Sequence, residues 1–179
     1  MKIAFVGSHS TGKSSGAMYL GALLKQKYPH KSVKILEENV RKVSRQLNNE
    51  LNTPNFQKMV IIDQLLVELE ASSLHNIVIC DRTTIDPLIY AAELNVHVPN
   101  EYVELALYNL DTFDVVFLVR PDTKDQTLVD DGFRDTNIVF RNQIDKRFVS
   151  LLKNRNKVVE IKTSQVFNYN YLQHLKGSS

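Results

Sequence analysis

Apolar positions in this chain come in two spacings that alternate from end to end. Short unbroken runs, Ile3-Ala4-Phe5-Val6 and Ile77-Val78-Ile79-Cys80 among them, are rich in β-branched residues and too short for helices, the pattern of strands covered on both faces. They predict strands near 2–6, 33–36, 76–80, 114–119 and 157–161. The longer stretches between them predict helices over 13–28, 39–50, 55–73, 84–94, 100–110 and 138–153, the fourth and fifth divided by Val98-Pro99-Asn100. Strand alternating with helix is the sequence form of a parallel sheet with helices on both faces. In the first helix Met18, Leu20, Leu23 and Leu24 are available for packing, and Met59 to Leu74 is apolar on several sides, which marks a core helix. Residues 120–137 carry Pro121, Gly132 and many polar side chains, and read as a mobile loop or lid reaching to about 141.

The first predicted strand runs straight into Gly7-Ser-His-Ser-Thr-Gly12-Lys13-Ser14, which moves the reading from fold to chemistry. Glycines let successive backbone N–H groups turn inward, a helix start points at the ligand, and one lysine spans the outer phosphates, so this spacing suits a nucleoside polyphosphate. Gly7, Gly12 and Lys13 fit those roles, Ser10, Thr11 and Ser15 join them as nucleotide contacts, and Ser14 offers a hydroxyl to Mg²⁺. His9 fills a variable position and reads as a solvated or hydrogen-bonded loop residue without a catalytic role.

In a doubly wound sheet the ligand sits beyond the carboxyl ends of the strands, so the residues following each strand are the ones to question. Asp81 is the natural acidic partner of a metal held by Ser14, the competing reading being a helix N-cap. Arg82 stands where hydrolytic ATPases commonly carry a water-activating Glu. A guanidinium cannot accept a proton, so transfer to a bound acceptor is favoured over hydrolysis. Glu38, with Glu37 as its rival, is placed to take a proton from an attacking hydroxyl or to hold a sugar hydroxyl pair, and Arg41 one turn on either shares that role or pairs with Glu38. Asp86 and Tyr90, four apart, would line the acceptor pocket or belong to the core. Arg134 and Arg141, seven apart on the closing segment, suit the neutralisation of a phosphoryl group in transfer, against a solvated face continued by Asp145, Lys146 and Arg147. Lys13, Asp81, Glu38, Arg134 and Arg141 are thus the candidate catalytic set.

Composition narrows the classes. With 179 residues, 43% of them hydrophobic, one domain over 1–176 with a disordered tail at 177–179 is expected. A net charge of +2 is too mild for a nucleic-acid footprint, although Lys153-Asn154-Arg155-Asn156-Lys157 forms a small basic cluster. A single cysteine, Cys80, forbids an internal disulfide and reads as a buried, inert residue of a reducing compartment. No leader and no apolar stretch near the ~20 residues of a bilayer span are evident, so a soluble cytoplasmic protein is expected.

Taken together, these residues resemble the NadR-like P-loop kinases, the ribosylnicotinamide kinase-like group, and more distantly the thymidylate and deoxynucleoside kinases. The likeness rests on Gly7 to Ser14, Glu38-x-x-Arg41, Gln64-x-x-x-Glu68, Asp81-Arg82-Thr83 with Asp86 and Tyr90, Phe113 to Leu118, and Asp131-Gly-x-Arg134 followed by Arg141. It implies an α/β P-loop NTPase sandwich of three layers, with a five-stranded parallel sheet in the order 2-3-1-4-5 and a lid. It also implies ATP- and Mg²⁺-dependent phosphorylation of a small nucleoside, nucleotide or related riboside, with Lys13, Ser14 and Asp81 at the phosphate and metal and Glu38 and Arg82 toward the acceptor. The chain lacks the nucleotidyltransferase domain of the bifunctional relatives and an obvious aromatic sandwich for a nicotinamide ring. Asn156-Lys157 is followed by Val158-Val159, against a guanine-nucleotide switch, and no Leu-Ser-Gly-Gly-Gln-like signature of transporter ATPases occurs. Two rivals stay open: a slowly hydrolysing regulatory module, and a kinase of polynucleotide ends or modified DNA bases. The latter needs Lys34 and the 153–157 cluster to converge on one groove.

Overall fold

A computed structural model of the chain describes residues 1–46, 53–122 and 137–175. Five strands, β1 (Lys2–Val6), β2 (Val33–Leu36), β3 (Ile77–Asp81), β4 (Val115–Arg120) and β5 (Val158–Lys162), form one parallel sheet in the order β2-β3-β1-β4-β5. Between them run α1 (Lys13–Lys27), α2 (Val40–Gln46), α3 (Pro54–Leu74), α4 (Ile85–Glu93), α5 (Asn100–Asp111) and α6 (Ile138–Leu152). The segment 123–136, with Asp131, Gly132 and Arg134, and the tail 177–179 lie outside the described residues, as does the side chain of Arg41.

The strands explain the layers. Every residue of β1 and β3 is buried, and because successive side chains point to opposite faces, each strand feeds two cores. Ile3, Phe5, Ile77, Ile79 and Phe117 meet Ala17, Leu20 and Leu24 of α1 together with Val166 and Tyr171 of the C-terminal segment. Ala4, Val6, Val78, Cys80, Val116 and Leu118 meet Ile85 and Ile89 of α4, Leu110 of α5, and Ile144 and Phe148 of α6. Met18, expected to pack, is 54% exposed, because the face of α1 against the sheet is carried by Leu20 and Leu24.

Two differences from the sequence reading bear on function. Helix α3 buries Gln57, Gln64 and Glu68 along with Phe56, Val60 and Ile61, while Ile62, Leu66 and Leu69 face outward. It is a sheet-covering helix with polar groups inside, not one surrounded by core. Lys34 sits on β2 at one edge of the sheet, whereas the 153–157 cluster precedes β5 at the other edge. At about 4.8 Å per strand the two are separated by the width of the sheet and do not converge on one groove. Within the cluster, Arg155 pairs with Asp111 and Lys157 donates to the Asp111 carbonyl.

Candidate functional site

The loop after β1 is shaped by residues in left-handed backbone conformation: Gly7 (φ 136°), Ser10 (φ 57°) and Gly12 (φ 85°). Interspersing such residues with ordinary ones is what lets successive N–H groups point to one side and form an anion cradle. Gly7 is required twice over, since a Cβ there would stand 2.3 Å from the Val119 carbonyl oxygen. The loop is braced by Thr11, whose hydroxyl donates to the Ser8 carbonyl at 2.9 Å, and α1 begins with the Gly16 N–H donating to Gly12. Thr163, just past β5, places its hydroxyl 3.2 Å from both the Thr11 and the Arg120 carbonyls, and so ties the loop to the ends of β4 and β5. No motif marked Thr163.

Lys13 is buried, and its ammonium donates to the Ser8 carbonyl at 2.6 Å. Burial, and then the neighbouring Arg82 cation, pull its pKa down from 10.5 to about 7. Ser14 donates its hydroxyl to the Asp81 carboxylate across the cleft. The two form a pair of oxygen donors of the kind a hard divalent cation prefers, with Asp81 at the last position of β3 in register with Phe5. The N-cap of α4 is Thr84, so the capping reading of Asp81 falls away. Among the described residues no group of three or more His, Cys, Asp or Glu side chains could hold a metal ion unaided. A cation at Ser14 and Asp81 would therefore take most of its ligands from phosphate and water, as Mg²⁺ commonly does.

Beside this pair stands Arg82, itself left-handed at φ 80° and buried. Its Nε lies 2.6 Å from Glu38 at the end of β2, its Nη1 donates to Asp86 at 3.1 Å, and its guanidinium carbon lies 5.6 Å from the ring centre of Tyr90. Burial alone would lower the pKa of Arg82, but Glu38, Tyr90, Asp86 and Asp81 outweigh it and push the value well above normal, so the cation is permanent. Asp86 also accepts from the Thr83 N–H at 2.9 Å; burial nonetheless raises its pKa from 3.8 to about 6. Burial likewise raises Tyr90. A cleft of about 190 Å³ is lined by the loop from Ser10 to Ser15 together with Glu38, Asp81 and Arg82.

The structure thus brings together the nucleotide-loop residues, Glu38, Asp81, Arg82, Asp86 and Tyr90. Glu37 is exposed, which separates it from its rival. Arg41 is the second residue of α2, three positions after Glu38, and Arg134 is outside the described residues. Arg141 is buried on the first full turn of α6, whose N-cap Asn137 accepts from the Val139 and Phe140 N–H groups. His9 is buried too, not solvated: it lies 3.3 Å from the Tyr90 hydroxyl and stacks on Phe140, which brings the start of α6 against the loop. Arg120 does not line that cleft and is engaged in ion pairs with Asp145 of α6 and Glu160 of β5.

A parallel sheet in this order, with a glycine-cradled loop between β1 and α1 and an acidic residue ending β3, defines a P-loop NTPase. The chain belongs to the AAA domain family, AAA_28, which it matches over residues 2–167. Its fold is also that of a thymidylate kinase from Ehrlichia chaffeensis, with a TM-score of 0.60 over 90% of this chain and 86% of that one, at 18% sequence identity. No curated protein matches. Among the described residues no helix is long and apolar enough to cross a membrane.

Proposed function

We propose that the protein is an ATP- and Mg²⁺-dependent phosphotransferase acting on a nucleoside, nucleotide or related riboside. The observation that carries this reading is the pair at the end of the cleft. Where a hydrolase would present a carboxylate for water next to Asp81, this chain presents Arg82, and the carboxylate it does offer, Glu38, is held across the cleft by that arginine at 2.6 Å. Lys13 and the loop amides would hold the nucleotide phosphates, with Ser14 and Asp81 holding Mg²⁺. Bound there, the ion supplies charge neutralisation on the phosphate oxygens. Glu38 would accept the acceptor hydroxyl's proton, while Arg82, Asp86 and Tyr90 shape the acceptor pocket. Arg41 is assigned to acceptor contact by its place after Glu38. Arg134 and Arg141 are assigned to the transferred phosphoryl group; for Arg141 the role is supported by the packing of Phe140 on His9, which brings the start of α6 against the loop. Membership of the NadR-like branch, with ribosylnicotinamide as one acceptor, is the finer form of the same proposal.

The testing experiment is a screen of nucleosides, ribosides and short oligonucleotides for acceptor-stimulated release of ADP from ATP and Mg²⁺. Stimulation by a small acceptor is expected, together with loss of about 10²–10³-fold or more of turnover in Lys13→Ala. Slow ADP release indifferent to every acceptor would replace the proposal with the regulatory-module reading. Salt-sensitive stimulation by oligonucleotides alone would replace it with the polynucleotide reading.

A further inference from the structure

We infer that Gln64 and Glu68 of α3 are positioning residues for Arg82, fixing the left-handed peptide from which its guanidinium reaches Glu38; the inference deepens the phosphotransfer reading and rests on it. A bulky residue at φ 80° occupies a disfavoured region and has to be held there by its surroundings. The Arg82 N–H is tied to β1 by donation to the Phe5 carbonyl at 2.9 Å. Its own carbonyl receives Nε2 of Gln64 at 3.4 Å. That same nitrogen donates to Oε1 of Glu68 at 2.7 Å, so both amide protons are engaged, and a flipped amide would set oxygen against carboxylate.

Glu68 is fixed in turn. Its Oε2 accepts from Lys2 Nζ and from Asn109 Nδ2, each at 2.8 Å, and Asn109 also donates to the Thr84 hydroxyl at 3.1 Å. Glu68 is fully buried and Gln64 is 1% exposed. A buried carboxylate and cation are seldom better for stability than apolar residues of the same volume, and Ile62, Leu66 and Leu69 on the outer face of α3 show that the helix does not lack such residues. Polar groups occupy the inner face, and the chain they form ends on the Arg82 peptide. The opposite side of the same turn is held by Asp86, which binds both the Arg82 guanidinium and the Thr83 N–H. Two helices thus grip the turn, α3 by its carbonyl and α4 by its side chain and following amide.

The test compares two variants. Gln64→Met keeps length and volume but removes both donors, whereas Gln64→Glu keeps the shape but replaces the two amide protons by at most one acid proton. Acceptor-dependent kcat/KM should fall on the order of tenfold in Gln64→Met with the KM for ATP unchanged. In Gln64→Glu the single acid proton, when present, goes to Glu68 and leaves the Arg82 carbonyl without a donor, so acceptor-dependent kcat/KM should fall to a similar extent and stay low as the pH is lowered. A lowered Tm with unchanged acceptor kinetics in both variants would make the pair merely structural and overturn the inference. Amide hydrogen exchange gives a readout free of activity: exchange at Arg82 and Thr83 should quicken at least about tenfold in Gln64→Met while β1 stays protected. Unaltered exchange overturns the inference, whereas faster exchange in a protein that turns over no acceptor sinks the phosphotransfer reading alone.

Discussion

Glu37 and Glu38 are chemically equal neighbours, and only their surroundings decide which one can act as a base. Glu37 is exposed, whereas Glu38 turns into the cleft, where Arg82 holds its carboxylate at 2.6 Å. A base must be within reach of the proton it takes, so geometry ranks ahead of residue type. Replacing Glu38 by Gln keeps the shape and removes the proton acceptor, and should lower acceptor-dependent turnover by about 10²-fold or more. Glu37→Gln should stay within about twofold of wild type, as surface substitutions away from a site usually do. Initial rates at saturating ATP measure both; equal losses in the two variants would remove the general-base role from Glu38. The arrangement of Arg82 was not legible at this scale. The sequence shows an arginine after an aspartate, but not that its backbone is left-handed or that two carboxylates share it.

Elements were more legible than residues, for a physical reason. A strand buried on both faces must be apolar throughout, so β1, β3 and β4 announce themselves as runs, and the edge strands β2 and β5, with Lys34 and Glu160 exposed, by β-branched residues; β1 and β2 fall where expected at 2–6 and 33–36. The ends of β3, β4 and β5 lie one residue later than read from composition. Pairing decides them: Asp81 aligns with Phe5, and Arg120 with Lys162, although their side chains are polar. Helix α3 was read for existence but not for orientation, because its inner polar groups meet Lys2, Asn109 and the Arg82 carbonyl, all far off in sequence. The phosphate loop, by contrast, is local, and its glycines mean what their spacing says. Gly7→Ala should destabilise the fold by at least about 2 kcal/mol, since the new methyl would meet the Val119 carbonyl at 2.3 Å in a backbone region L-residues avoid. Urea unfolding followed by far-UV circular dichroism checks this, and a midpoint equal to wild type would refute it.

For the molecule as a whole, the site is a cost carried by the rest of the fold, and pH exposes it. Lys13 titrates near 7 when folded against 10.5 when unfolded, chiefly through burial. Between those values the unfolded chain holds a proton that the folded one has lost, so stability rises with pH across about 7 to 10.5, and the full penalty stands below 7. Asp86 runs the other way: folded near 6 against 3.8, again through burial, it keeps its proton in the fold after the unfolded chain has released it, so stability falls as pH climbs from 3.8 to 6. Between about 6 and 7 both penalties act together, each on the order of a few kcal/mol. Denaturant unfolding across pH should show the upper rise in wild type and not in Lys13→Met, and the lower fall in wild type and not in Asp86→Asn. A nucleotide polyphosphate should lift the Lys13 penalty by supplying the negative charge that burial removed from its surroundings. Binding above about pH 7 should therefore take up a proton, which calorimetry in buffers of differing ionisation enthalpy measures directly. Proton release, or none, would mean that the buried lysine does not meet the phosphates, and the loop would lose the ligand its glycines are shaped to hold.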